Sequence, residues 1–165
     1  MTAELTIQRQ QDLTQSWQEQ AWLLAQKRKV HQWTKVTTDG GTIAKALEFI
    51  PPTDTERDIL SRYAAELSNQ LIPASRKFTI AILAKLANHW KNDRSPQEWK
   101  MLFDDYCDDL AEFSENHIEQ AIREHRRTSQ WFPAISQIRI RCEELQELTK
   151  IRRTRCLRSL RGYDV

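Results

Sequence analysis

Apolar side chains recur every three or four residues along most of the chain, a spacing typical of amphipathic helices. The first such stretch covers residues 8–33 and predicts one long N-terminal helix. Residues 42–49 predict a short helix that ends before Pro51, because a residue that precedes proline is pushed out of the helical region. The apolar face of the N-terminal helix contains these residues: Leu13, Trp17, Ala21 and Leu24.

Two further segments predict the first helices of a compact body. Residues 54–71 carry apolar side chains on one face, and Thr53 or Asp54 is placed to cap this helix. Residues 75–90 form the most hydrophobic run of the chain. Since a helix with such a wide apolar face is usually buried, this run predicts the central helix of the core.

Hydroxyl caps mark the next two helix starts. Ser95, Pro96 and Glu98 combine a cap, a proline at the first helical position and a glutamate that completes a capping box. Ser114 begins a further helix, and Glu115 stands in its first turn. Both helices are predicted to turn their apolar residues towards the core.

An aromatic-proline break follows, at Trp131, Phe132 and Pro133. We interpret it as a structural motif in which the two aromatic rings plug the end of the core and the proline orients the next helix. In place of a hydroxyl cap and a glutamate, Ala134 and Gln137 follow the proline. Losing the cap hydroxyl costs about 1 kcal/mol unless the helix starts later.

Composition agrees with a helical protein. The 165 residues include only 3 Gly and 5 Pro, with 39% hydrophobic and 29% charged residues, which favours helices joined by short connections. We therefore predict an all-α fold: a small helical bundle with a long N-terminal helical arm and a basic C-terminal helical extension. The paired glycines Gly40 and Gly41 mark the boundary of the arm. The predicted divisions are residues 1–38, 42–148 and 149–165.

Charge is distributed unevenly along the chain. Eight basic and three acidic residues lie between Arg139 and Arg161, so this segment carries +5 and the rest −3 of a total of +2. The last turns contain six cations, which are the candidate binding residues for nucleic acid or for an acidic protein surface. The alternative is a frayed, solvated C-terminus. The six cations are Lys150, Arg152, Arg153, Arg155, Arg158 and Arg161.

Three tryptophans of the N-terminal stretch form a second candidate surface: Trp17, Trp22 and Trp33. An isolated solvated helix rarely exposes so many aromatic rings. Either the helix packs back on the body, or it presents a face to a partner.

Cysteine use and hydropathy indicate the compartment. Cys107, Cys142 and Cys156 are an odd number without paired spacing, and no signal peptide precedes them, which favours reduced thiols. No apolar run approaches the roughly 20 residues that a membrane span needs. We expect a cytoplasmic protein with no membrane contact.

An acidic cluster is the main candidate for metal binding: Asp104, Asp105, Asp108, Asp109 and Glu112. Carboxylates one helical turn apart can hold a divalent ion, but a solvated face, or a counterpart to the arginines between Arg123 and Arg127, is favoured. His117 and His125 lack the spacing of a zinc site. No nucleophile, phosphate-binding or zinc motif is present, so we expect no cofactor, no metal and no enzymatic activity.

The segment 99–145 resembles the small replicative-helicase loaders of bacteriophages, both the loader-and-inhibitor type and the replication P-like type. The pattern combines an aromatic and leucine-rich helix, a serine-capped helix with a basic end, an aromatic-proline pair and a restarted helix. The matching residues are Trp99, Tyr106, Leu110, Phe113, Ile118, Ala121, Ile122, Arg126, Phe132, Pro133, Ile138, Arg139 and Cys142.

The resemblance implies a non-enzymatic phage or prophage replication accessory protein. Its partner would be the replicative helicase, which it binds and loads, or inhibits, in the bacterial cytoplasm. The resemblance implies that a segment flexibly attached to the helical body makes this contact, and the N-terminal tryptophan-bearing helix and the arginine-rich tail are the two candidates. Two alternatives come from the residues themselves. The first is a nucleic-acid-binding or regulatory protein that uses the arginine-rich C-terminus on DNA, and the second is a structural phage component that self-assembles through its tryptophans.

Overall fold

A computed structural model of the chain describes residues 17–26, 30–35, 44–49, 51–88 and 94–161. Six helices lie in these ranges, and the predicted all-α helical bundle is confirmed. The helices are α1 (residues 17–26), α2 (Asp54–Asn69), α3 (Arg76–Ala87), α4 (Pro96–Asp109), α5 (Glu115–Thr128) and α6 (Ile135–Arg161).

A short antiparallel hairpin departs from the prediction. Strand β1 (Val30–Lys35) pairs with strand β2 (Ala44–Phe49), and Trp33 stands opposite Ala46. The expected helix over residues 42–49 is therefore wrong, and the N-terminal helix does not continue to residue 33. Strand pairing overrides the helical propensity of alanine, leucine and glutamate here. The glycine-rich boundary lies outside the described residues.

The described residues divide into two compact units. The terminal unit takes its residues from Met1–Glu66 and Arg152–Val165, and the middle unit from Leu67–Ile151. The predicted start of the C-terminal extension, at residue 149, lies inside α6, which continues without interruption for 27 residues.

The middle unit has a continuous hydrophobic core. Helix α3 packs against α4 and α5, and α6 adds three side chains from one stripe. The expectation that α3 supplies central core residues agrees with the burial of Leu83 and Leu86. The buried cluster consists of Leu83, Leu86, Tyr106, Leu110, Phe113, Ile118, Ala121, Ile122, Ile138, Cys142 and Leu145.

The predicted helix starts are present as hydrogen-bonded caps. Ser95 forms a complete capping box with Glu98, and Ser114 accepts a hydrogen bond from the backbone N–H of His117. Of the two candidates at α2, Thr53 is the cap, because its hydroxyl accepts from the backbone N–H of Glu56. These side chains satisfy backbone donors that have no partner inside the helix.

Helix α6 begins with only half of a capping box. The side chain of Gln137 accepts a hydrogen bond from the Ala134 N–H at 2.9 Å, which is the reverse arm of the box. Ala134 has no hydroxyl to accept from the Gln137 N–H, which contacts the Ala134 carbonyl instead at 3.0 Å. Ser136 is exposed inside the first turn and does not replace the cap.

Replacing Ala134→Ser should complete this box. A serine oxygen would accept from the Gln137 N–H, and we expect the free energy of unfolding to rise by about 1 kcal/mol. Urea titration followed by circular dichroism measures the change. Ser136→Ala is the matched control, because it removes a hydroxyl from the first turn of α6 without changing the cap residue. It should change the free energy of unfolding by less than about 0.5 kcal/mol. An Ala134→Ser variant no more stable than the wild type would contradict this account of the helix start.

Candidate functional site

The arginines at the end of α6 lie in the terminal unit as part of an ordered helix. Arg152, Arg155, Arg158 and Arg161 stand three residues apart, which places them along one ridge of the helix surface. We call these four residues the arginine ridge. All four are exposed. The helix continues to Arg161, so the alternative of a frayed C-terminus does not describe the chain up to that residue.

Trp22 of α1 contacts two members of the arginine ridge. The guanidinium carbon of Arg152 lies 5.5 Å from the centre of the Trp22 ring, and that of Arg155 lies 5.4 Å from it. Both distances suit cation–π attraction. The Ser159 hydroxyl, which lies 3.0 Å from the Arg155 carbonyl, also contacts the Ala25 carbonyl at 3.3 Å, so α6 and α1 meet on two turns.

The other predicted tryptophans have different positions. Trp17 meets Tyr63 edge to face, with 6.0 Å between ring centres, and lies beneath Arg62. Trp33 belongs to β1. The Trp17 ring therefore contacts α2, and the Trp22 ring contacts α6.

Several apolar side chains of α1, α2 and α6 are buried. Ala21 and Ala25 of α1, Leu60 and Ala64 of α2 and Cys156 of α6 are all nearly inaccessible to solvent. Burial raises the pKa of the Cys156 thiol to about 11. A thiol that stays protonated is a poor nucleophile and a poor metal ligand, so Cys156 serves packing.

Lys150 and Arg153, the remaining predicted cations, do not lie on the ridge. Lys150 belongs to the middle unit, where its ammonium donates to the Gln146 side chain at 2.8 Å. Arg153 is half-buried within α6. The six candidates are thus divided between different surroundings.

The aromatic-proline break forms a joint within the middle unit. The Tyr106 hydroxyl donates to the buried Pro133 carbonyl, and the Phe132 ring lies 5.4 Å from Trp99 and 6.0 Å from Tyr106. Burial raises the pKa of Tyr106 to about 12, so its proton is retained. Phe132 and Pro133 close the core as expected.

The expectation is wrong for Trp131, which is 78% exposed and does not plug the core. Its backbone is nevertheless fixed. The Trp131 carbonyl accepts from a ring nitrogen of His125 at 2.9 Å and from the Ser129 hydroxyl, and its N–H donates to the same hydroxyl. The break therefore presents one aromatic ring to solvent from a rigid backbone.

Three carboxylates of the acidic cluster are paired with arginine. Arg76 bonds Asp104 at 2.6 Å and Asp108 at 2.7 Å, and Arg139 bonds Glu112 at 2.6 Å and the Asp109 carbonyl at 2.7 Å. The suggested counterpart among residues 123–127 is wrong, since these partners come from α3 and α6.

Across the described residues, no group of three or more His, Cys, Asp or Glu side chains is arranged to hold a metal ion. Within the same ranges, none of the helices combines the length and the apolar content that a bilayer crossing requires. Comparison of the chain with protein-family models, with curated proteins and with solved structures finds no match.

His117 is a buried histidine held in one tautomer. The Thr149 hydroxyl donates to the Leu145 carbonyl at 2.9 Å, so it must accept from Nε2–H of His117, 3.0 Å away. Nδ1 then carries a lone pair and has no hydrogen-bond partner among the described residues. Burial, with a smaller contribution from Lys150, lowers the pKa of His117 below its usual 6.5.

This environment predicts a loss of stability in mild acid. Below pH 6.5 the unfolded chain binds a proton at His117 while the folded chain resists it, so the free energy of unfolding falls until the pH reaches the lowered pKa. Above pH 6.5 the penalty vanishes. Urea titrations at about pH 7.5 and 5.5 measure the difference.

His117→Gln keeps an amide donor near Thr149 but does not titrate in this range. It should lose less stability than the wild type between the two pH values. Thr149→Ser retains the hydroxyl and serves as the matched control, with the pH dependence of the wild type. Equal pH dependence in His117→Gln and the wild type would show that His117 is not held neutral by the fold.

Proposed function

We propose that this protein is a non-enzymatic accessory protein of phage or prophage DNA replication, which binds the replicative helicase in the bacterial cytoplasm as helicase loaders do. The observation that carries the proposal is the joint around Pro133. Residues that define the resemblance in sequence, Tyr106, Phe132 and Pro133, are in mutual contact in the fold. The pattern is therefore a connected structural feature.

The middle unit offers the rigid scaffold that such an adaptor needs. Its core joins residues of α3, α4, α5 and α6, and arginine bridges tie the surface of the same helices. Arg141 of α6, for example, bonds both Glu124 and Glu144. A partner that binds a rigid surface does not have to order it, which reduces the entropic cost of association.

Trp131 is the side chain that we assign to the helicase contact. Tryptophan is enriched among the residues that dominate binding energy at protein interfaces. Here the ring is 78% exposed, and hydrogen bonds to His125 and Ser129 hold its backbone. Burying such a ring removes apolar area from water while little backbone freedom is lost.

The self-assembly alternative has weaker support. It assigns Trp17, Trp22 and Trp33 to a contact between copies, but the rings of Trp17 and Trp22 contact Tyr63, Arg62, Arg152 and Arg155 of the same chain. Light scattering of the purified protein tests it directly, because self-assembly requires a mass that rises with concentration.

The proposal predicts a complex with a replicative helicase. The full chain and the helicase of its phage or host should co-elute in size-exclusion chromatography, with or without ATP, and light scattering should give the mass of a complex. Separate elution under both conditions would end the proposal.

Trp131→Ala should weaken this complex by about tenfold or more, as loss of a dominant interface residue does. Met101→Ala is the matched control, since Met101 is another large apolar residue of the middle unit and is 69% exposed. It should bind like the wild type. Equal binding of the two variants would show that Trp131 does not make the helicase contact. Unchanged circular dichroism of Trp131→Ala would show that its weaker binding is not caused by a loss of fold.

A further inference from the structure

We infer that the arginine ridge, Arg152, Arg155, Arg158 and Arg161, is a binding site for the phosphate backbone of DNA, and that Trp22 is its positioning residue. The inference does not depend on the helicase proposal, because it concerns the terminal unit and rests on other contacts. It also gives Trp22 a role opposite to the one expected from sequence, where its ring was a candidate partner face.

Spacing along α6 suits a polyanion. Four arginines at intervals of three residues extend over about 14 Å of the helix axis at 1.5 Å per residue. Duplex DNA carries one negative charge per roughly 1.7 Å of its axis. Successive members are turned by about 60° around the helix axis at 3.6 residues per turn, so the four arginines spread over the exposed half of α6, within reach of several phosphates of a duplex.

Charge pairing separates the ridge from the arginines that precede it on α6. Arg139 bonds Glu112 and Glu143, and Arg141 bonds Glu124 and Glu144. Those four carboxylates neutralise the two arginines within the fold.

The end of the ridge has no such neutralisation from the described part of the chain. Arg158 and Arg161 are exposed, and no described carboxylate lies within ion-pair distance of either. Cations this close repel one another unless an external anion screens them. A bound phosphate backbone supplies that anion.

Trp22 prepares the first half of the ridge. Its ring attracts both Arg152 and Arg155, whose guanidinium carbons lie 5.5 Å and 5.4 Å from the ring centre. Free arginine side chains lose much rotamer freedom when they bind. Side chains that already rest on an aromatic ring lose less, so the ring lowers the cost of ordering two phosphate ligands.

The same contacts indicate which part of DNA is bound. Protein surfaces that hold single strands stack bases on open aromatic faces. Trp22 is half-buried and covered by two guanidinium groups, so it offers no open platform for a base. The ridge should therefore read the backbone, without sequence preference and with a strong dependence on salt.

Fluorescence anisotropy tests the site. The full chain is titrated against a fluorescein-labelled DNA duplex of arbitrary sequence at NaCl concentrations between about 50 and 200 mM. Four phosphate contacts predict a slope of about −3 to −4 in log K against log salt. Arg158→Gln with Arg161→Gln should weaken binding about tenfold at the lower salt and make the slope less steep by about one unit per lost contact.

The matched control removes the same charge elsewhere. Arg126→Gln with Arg127→Gln takes two exposed arginines from α5, and binding should stay close to that of the wild type. Equal losses in the two double variants would overturn the site, because net charge alone would then explain binding. Absence of duplex binding across the salt range would also overturn the site. If poly-glutamate displaced the labelled duplex at a lower charge concentration than unlabelled DNA does, the ligand would be an acidic protein and the proposal would be overturned.

Trp22→Leu separates positioning from charge. All four arginines remain, so the salt slope should stay near that of the wild type while affinity falls roughly fivefold to twentyfold through lost preorganisation. Trp22→Phe keeps an aromatic face and should restore most of the affinity. If Trp22→Leu binds like the wild type, or if Trp22→Phe rescues nothing while circular dichroism of both variants is native, Trp22 does not position the ridge.

Discussion

The hydrogen bond from the Tyr106 hydroxyl to the Pro133 carbonyl is the contact on which the middle unit depends most. A break between two helices leaves backbone groups that must find partners once they are buried. Proline supplies no N–H at this point, and its carbonyl lies in the core. Tyr106 satisfies the carbonyl from α4, so the position where α6 restarts is tied to the packing of another helix.

The residue at which α6 restarts determines which of its side chains face the core and which lie at the surface. Once Ala134 begins the helix, its periodicity turns Ile138, Cys142 and Leu145 into the core and leaves Arg139 and Arg141 at the rim. Arg139 then meets Glu112 in the connection between α4 and α5, and Arg141 meets Glu124 of α5. Exposed ion pairs of this kind add little stability each. Their larger effect is on the surface, because they neutralise the first part of α6 and leave positive charge concentrated on its last turns.

Local signals in the sequence identified much of this fold. Serine caps at Ser95 and Ser114 were predictable because a cap, its glutamate and the following apolar spacing lie within a few residues. The hairpin was missed because Ala44–Phe49 contains good helix formers, and its strand state depends on a partner segment. Positions 36–43 separate the two strands in sequence, which is longer than the two-residue connection that an Asp-Gly dipeptide specifies, so no short-range hairpin signal was available.

Contacts distant in sequence explain the remaining errors. Arg76 and Asp108 are 32 residues apart, and no periodicity relates them, so the acidic cluster of α4 was paired with the wrong arginines. The sequence placed both Trp131 and Phe132 in the core because both are large aromatic residues and they are adjacent in the chain. The two neighbours have different surroundings in the fold, because Trp131 is 78% exposed whereas Phe132 lies against Trp99.

The contact of Trp22 with Arg152 and Arg155 shows why residue type alone misassigns surfaces. In sequence, three tryptophans and six cations looked like two separate faces, each in need of an external partner. In the fold, one tryptophan is a partner of two of the cations. An aromatic ring covered in this way is withdrawn from protein contacts, whereas guanidinium groups that rest on it keep their charge and their outer N–H donors. Intramolecular packing thus removes an apolar binding surface and makes a basic one better defined, which is why the terminal unit favours an anionic ligand over an apolar one.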